Sequence, residues 1–204
     1  LDWNQNRGAY HAFISLGATC QTAHQLRRLK LRKFSGPLDW FISYPSSKIS
    51  HLLKTRFNGF MELDKLRLIN IVDNHYVLRD TEYHVDSYHD FPVPYNPNQL
   101  YPKFKETMDR RVSRFLKTIK TGPVCFVRTE TSSSEARLLE QALSGISHKD
   151  FRILIVNFHN QWGKGVIYDD WGLQRVSSVK IPPGRNWRGS DHHWDLIMKG
   201  FKSV

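Results

Sequence analysis

The chain has 204 residues and a formal charge of +11, with 40% hydrophobic and 13% aromatic residues. That size and apolar content exclude a disordered chain, and a domain burying roughly 70% of its unfolded surface needs no disulfide or metal to hold it. No run reaches the ~18 apolar residues of a membrane span, and residues 1–7 carry no signal-peptide hydrophobic region.

The length suits one domain over 1–204, with a loop-rich insertion at 57–102. Residues 12–16 (AFISL) are a short apolar run with aromatic and β-branched members, which predicts a strand. Gly17 and Ala18 turn the chain. Thr19 then caps a helix over about 20–29, because its hydroxyl accepts from an otherwise orphan amide. Ala23, Leu26 and Leu29 form the apolar stripe of that helix. Pro37-Leu38-Asp39-Trp40 interrupts the pattern, and a second helix follows at 46–55, burying Ile49, Leu52 and Leu53. In the next stretch only short strand-like pieces stand out, at 68–72 and 76–78. The Pro-, Asn- and Tyr-rich 91–102 reads as loop. Phe104, Met108, Val112, Phe115 and Ile119 recur every three or four residues and predict a helix over 103–121, stopped by Gly122-Pro123.

The last third alternates. A strand at 124–128 (VCFVR) precedes a helix that opens on the capping box Ser132–Glu135 and ends at Gly145. A strong strand follows at 151–158 (FRILIVNF), another at 176–181, and a closing helix at 190–201 with Trp194, Ile197 and Phe201 inward. Strand, helix, strand at this spacing is a βαβ unit, and the strands are apolar throughout, as parallel strands are. The fold class is therefore α/β: a layered, mostly parallel sheet flanked by helices, with an irregular middle.

Ligands of open parallel sheets bind beyond the carboxyl ends of the strands. Three polar groups reach that edge: Cys20 after the first strand, Arg128 after VCFVR, and Asn157 with His159 after FRILIVNF. A cysteine in the first helical turn meets the positive end of the helix dipole, which favours thiolate. Cys20 is thus either a reactive thiol or a small structural filler; Cys125, between Val124 and Phe126, reads as core. Of ten histidines, His89 is the best base, because its irregular segment can fold over the sheet edge. His159, just past a strand end, is the second choice. His24 lies one helical turn from Cys20 but points back along the axis. Asp39, Asp90 and Asn157 compete to orient the base. Arg128 either binds a carboxylate or phosphate, or pairs with Glu130 or Glu135. No HExxH, Walker A or GxGxxG pattern occurs, and neither a metal nor a cofactor is expected.

Several motifs together resemble a bacterial family of uncharacterised proteins labelled "putative papain-like cysteine peptidases". They are Ile14-Ser15-Leu16-Gly17 with Cys20, Gln25-Leu26-Arg27, Ser35-Gly36-Pro37-Leu38-Asp39-Trp40, His89-Asp90-Phe91, Phe126-Val127-Arg128, Val156-Asn157, and Trp187 with Gly189, Asp191 and Trp194. The resemblance implies Cys20 as nucleophile, His89 as general base and an Asp or Asn, Asp90 or Asn157, as its orienter. One feature departs from it. Papain-type domains set the cysteine on a long helix against an antiparallel sheet or barrel, whereas here a strand precedes the cysteine.

Three functions follow as expectations. The first is a thiol hydrolase of an amide or peptide bond, with Asp39, Trp40, Arg128 and His159 near the substrate. The alternative is a non-proteolytic α/β domain that binds or transfers an anionic group, such as a sugar nucleotide or phosphorylated glycan. It draws on the basic stretches 27–33 and 103–120. Third is a basic scaffold or nucleic-acid-binding protein, which no RNA- or DNA-binding signature supports. Two cysteines without CxxC or zinc spacing predict a reduced, cytoplasmic protein. Oligomeric state and the identity of the peptidic or anionic substrate are left open by the sequence.

Overall fold

The computed structural model describes residues 2–161 and 163–204. Its elements run β1 (Ala9–Tyr10), β2 (Ala12–Ser15), α1 (Cys20–Arg28), β3 (Phe41–Ile42), α2 (Ser46–Lys54), β4 (Leu66–Val72), β5 (His75–Asp80), β6 (Val85–Ser87) and α3 (Pro97–Thr118). There follow β7 (Val124–Thr129), α4 (Ser133–Ser144), β8 (Phe151–Phe158), β9 (Ile167–Asp169), β10 (Val176–Ile181), α5 (Asp191–Met198) and β11 (Lys202–Ser203).

The main sheet has the order β2-β7-β8-β10-β9, parallel except for the antiparallel edge strand β9. Successive side chains of a strand point to opposite faces, and the core divides accordingly. Ile14, Phe126, Ile153 and Ile155 face one cluster, filled by Ile49 and Leu52 of α2, Phe115 of α3 and Leu139 of α4. Phe13, Cys125, Val127, Leu154 and Val156 face the other, filled by Leu26 of α1 and by Trp194 and Ile197 of α5. Helices therefore cover both faces, which is why these strands are apolar throughout. The α/β reading, with a mostly parallel sheet flanked by helices, holds.

The middle of the chain is more ordered than its sequence suggests. Strands β4, β5 and β6 pair with β3 in a four-stranded antiparallel sheet of order β3-β6-β5-β4. Asp73 and Asn74, both at positive φ, form the β4–β5 turn. Helix α3 begins at Pro97 and not at 103. Asn96 caps it by accepting from Asn98 N at 2.9 Å, and a proline at the first helical position lacks only an N–H that would be orphaned anyway. The composition that reads as loop in 91–102 is thus partly a helix start. The closing helix is shorter than expected, ending at Met198 rather than at 201.

Candidate active site

The site forms where β2 hands over to α1. Leu16 N still donates to Val127 O at 2.9 Å, and the chain then turns at Gly17, φ +84°. A Cβ there would stand 2.3 Å from Ser43 Oγ and 3.1 Å from Arg128 Nη1, so the turn requires glycine. Thr19 Oγ1 accepts from Gln21 N at 3.3 Å, the expected N-cap, and Cys20 is the first residue of the helix.

Cys20 is half-buried and lines a cleft of about 470 Å³. One wall comes from the antiparallel sheet and its loops: Ile42, Tyr44, Asp73, Tyr88 and His89. Across from them stand Gln21 and Trp187, with Glu130 beyond the end of β7. Trp187 is held there by α1, whose Gln21 Nε2 donates to Trp187 O at 3.2 Å and whose Gln25 Nε2 donates to Arg188 O at 2.6 Å.

His89 Nε2 lies 4.0 Å from Cys20 Sγ. The imidazole rides on the segment after β6. The buried Phe91 ring packs at 4.8 Å on Phe104 of α3, and Phe91 O accepts from Tyr76 N at 2.8 Å. These contacts pin the loop, and His89 projects from it into the cleft, exposed to solvent. His75, beside the β4–β5 turn, meets it edge-on with ring centroids 6.3 Å apart.

Burial pushes the Cys20 thiol up to about 11 against the opposing pull of its own backbone N–H, and the charges of Asp39 and Asp90 raise it further. The expected helix-dipole activation is therefore outweighed by desolvation, and Cys20 rests as a neutral thiol at pH 7. Cys125 is fully buried and its thiol is raised well above the ordinary value by the same cause. Both cysteines are free.

Of the other residues picked out from the sequence, none lines this cleft. Asp90 accepts from Ser87 Oγ at 2.6 Å, and its charge acts on Arg111. Asn157 spends its amide on the backbone of Thr131, accepting from N at 2.9 Å and donating to O at 2.8 Å. Among the described residues neither is hydrogen-bonded to His89. Asp39 is buried, paired with Arg32, and accepts from Gly36 N at 3.0 Å. Trp40 carries the guanidinium groups of Arg27 and Arg32, 5.3 and 5.6 Å from its ring centroid. His159 bonds within its own loop, Nε2 to Gly165 O at 2.8 Å.

Arg128 is fully buried. It donates to the carbonyls of Leu16, Ser43 and Tyr44 and to the hydroxyls of Ser43, Ser46 and Thr131. Among the described residues no carboxylate is bonded to it. Burial lowers its pKa to about 10, which leaves it cationic at neutral pH. It staples the end of β2 to the chain leading into α2, and so fixes the floor under Cys20.

Sequence reasoning missed Tyr44, Asp73, Tyr88 and Gln21 as cleft residues. Tyr88 and Gln21 adjoin His89 and Cys20 in the chain, and that adjacency was the available signal. Asp73 reaches the cleft only through the antiparallel hairpin. Among the described residues no group of three or more His, Cys, Asp and Glu could hold a metal ion, and no helix is long and apolar enough to cross a membrane.

Residues 11–161 match a family described as "Putative papain-like cysteine peptidase". An uncharacterized protein of Acanthamoeba polyphaga mimivirus is 28% identical over 214 aligned residues, covering 91% of this chain and 96% of the viral one. That relative is viral, so it lends no support to a bacterial distribution. No solved structure matches the chain. The family match ends before Trp187, so that cleft residue lies outside it.

Proposed function

The chain belongs to the family described as "Putative papain-like cysteine peptidase", and from that premise we propose that it is a thiol hydrolase of amide or peptide bonds, with Cys20 as nucleophile and His89 as general base. The observation that carries this reading is the 4.0 Å approach of His89 Nε2 to Cys20 Sγ inside an open cleft. Catalytic hydrogen bonds are commonly long before substrate arrives and tighten in the complex.

A neutral thiol needs its base at the moment of attack. Cys20 Sγ bonds to the carbonyl carbon as its proton passes to His89 Nε2. The C–N bond then breaks, and the leaving amine takes that proton. Water, deprotonated by the same imidazole, opens the thioester, releasing the acid and returning a proton to sulfur. Amides at the start of α1 are suited to the oxyanion. The papain layer arrangement is not required for this chemistry, which depends on the local geometry of thiol and base.

The alternative of an anionic ligand finds no lysine or arginine among the described residues lining the cleft. Two free cysteines support a reducing, cytoplasmic setting. The test is hydrolysis of an internally quenched peptide library by wild type, Cys20→Ala and Cys125→Ala. Turnover lost only in Cys20→Ala supports the reading; turnover that survives Cys20→Ala ends it.

A further inference from the structure

The protein carries +11 charges overall, yet among the described residues lining the cleft there are two carboxylates, Asp73 and Glu130, and no lysine or arginine. Among the described residues neither carboxylate accepts a side-chain hydrogen bond or joins a salt bridge. Glu130 is held at φ +50°, a left-handed conformation unusual for a side chain of this kind. Its carboxyl is raised by burial and eased only by the charge of Arg128. No lysine or arginine is bonded to either carboxylate among the described residues; the buried Arg128 acts on Glu130 through its charge alone.

The apolar part of the cleft is aromatic. Tyr44 is 51% exposed and Trp187 53% exposed, and Tyr88 adjoins them. The Tyr44 phenol is raised by burial and by the charges of Glu130, Tyr88 and Cys20, which places the ring, the carboxylate and the sulfur in one electrostatic neighbourhood. Elsewhere arginines lie over three rings: Arg27 and Arg32 on Trp40, Arg114 on Phe34, Arg175 on Phe151. Arg188 sits over Trp187, 5.6 Å from its centroid. Among the described residues Tyr44 and Tyr88 carry no such cation. Gln21 also lines the cleft, is 7% exposed, and among the described residues no donor meets its buried Oε1.

We propose that this cleft selects a peptide bearing a lysine or arginine side chain next to the bond presented to Cys20, the cation seated between Tyr44, Tyr88 and the carboxylates of Asp73 and Glu130. This rests on the hydrolase reading for the word substrate, but the cation site stands on its own observations. A ring face attracts an ammonium or guanidinium, and an adjacent carboxylate in a partly desolvated cleft adds to that attraction. Salt at physiological strength screens the more distant positive charge beyond about 8 Å, and the nearby Arg128 offsets only part of the Glu130 charge.

The test separates binding from turnover. Cys20→Ala protein is titrated with N-acetyl, C-amide dipeptides that differ only in one side chain, lysine, norleucine or glutamate, and binding is read by NMR shifts. The lysine peptide binds about tenfold more tightly than its uncharged isostere, a preference of the size cation–π and ion-pair attraction supply. The preference shrinks in Asp73→Asn and Glu130→Gln and at high salt, and the glutamate peptide binds least. Equal affinity for lysine and norleucine, tighter binding of glutamate, or no binding of any of them at millimolar concentration overturns the inference. Turnover of wild type without a lysine preference removes the inference and leaves the hydrolase. A lysine preference without turnover removes the hydrolase and leaves the cation site.

Discussion

Strands β7 and β2 are buried along their whole length, whereas β4 is exposed at five of its seven residues. The two sheets that contain them each deliver one member of the proposed Cys20–His89 pair. The parallel sheet sets Cys20 on a rigid floor, with packed helices on both faces and Arg128 stapling the turn from below. The antiparallel sheet delivers His89 on a loop held mainly by Phe91 and the Tyr76 backbone. The sulfur is therefore fixed by the core and the imidazole by a thin, half-solvated layer, and the two should respond differently to damage.

The largest expected effect falls on the sulfur. Cys20→Ala lowers kcat/KM by at least ~10³-fold without loss of stability, since the nucleophile is removed from a cleft and not from the core. Cys125→Ser makes the opposite pattern: kcat/KM is kept, but a buried hydroxyl without a partner costs about 1–3 kcal/mol in urea unfolding. If both variants lose activity alike, the two thiols have not been told apart. Next comes His89→Ala, with a loss of about 10²–10⁴-fold in kcat and an unchanged melting temperature, the signature of a missing base.

Arg128→Met probes the rigid side. It removes one buried cation and takes a donor away from three backbone carbonyls and three hydroxyls, so the fold loses ~3 kcal/mol or more. Arg128→Lys recovers only part, because an ammonium cannot fork to carbonyls on two segments. Phe91→Ala probes the thin side. It costs about 3–5 kcal/mol at a buried ring, and kcat falls even where the protein remains folded, since the loop bearing His89 loses its anchor. Unchanged kcat in folded Phe91→Ala would show that something other than this ring places the imidazole.

The same contrast explains what could be read from the sequence. Parallel strands, α1, α4 and the β2–α1 turn announce themselves, because burial on both faces, capping boxes and a required glycine are local signals. Cys20 was legible for that reason, and His89 from its place in an irregular segment facing the sheet edge. The antiparallel sheet was only glimpsed, because β4 is too exposed to alternate and β3 and β6 are two and three residues long. With the sheet went its hairpin tip, and hence Asp73. Arg128 was misplaced for a different reason: a charged residue at a strand end invites a ligand, and nothing in the sequence tells that six oxygens of the protein already surround it.

Alkaline pH offers a smaller effect. The folded Cys20 thiol keeps its proton to about pH 11, whereas in the unfolded chain it ionises near about 8.5. The folded state therefore binds more protons between these values, so its stabilising contribution is full below about pH 8.5 and is lost as pH rises toward 11. The wild-type melting temperature drops over that window, and Cys20→Ala drops less, the residue being the fall due to Cys125 and other buried groups. Identical slopes would mean that Cys20 is not desolvated.

The smallest effect belongs to the exposed apolar side chains of β4. Leu68 is 56% exposed and Ile71 55% exposed on the edge strand of the antiparallel sheet. Threonine at either position keeps the β-branched or strand-compatible shape and removes apolar surface that is already in water, so the urea midpoint shifts by no more than about 0.5 kcal/mol equivalent. Activity should not change either, because neither residue lines the cleft, although the strand they belong to ends at Val72, next to Asp73. A loss several times larger, and dependent on protein concentration, would mean that this face is covered in solution by another molecule and that the sheet carrying His89 draws its stability from that contact.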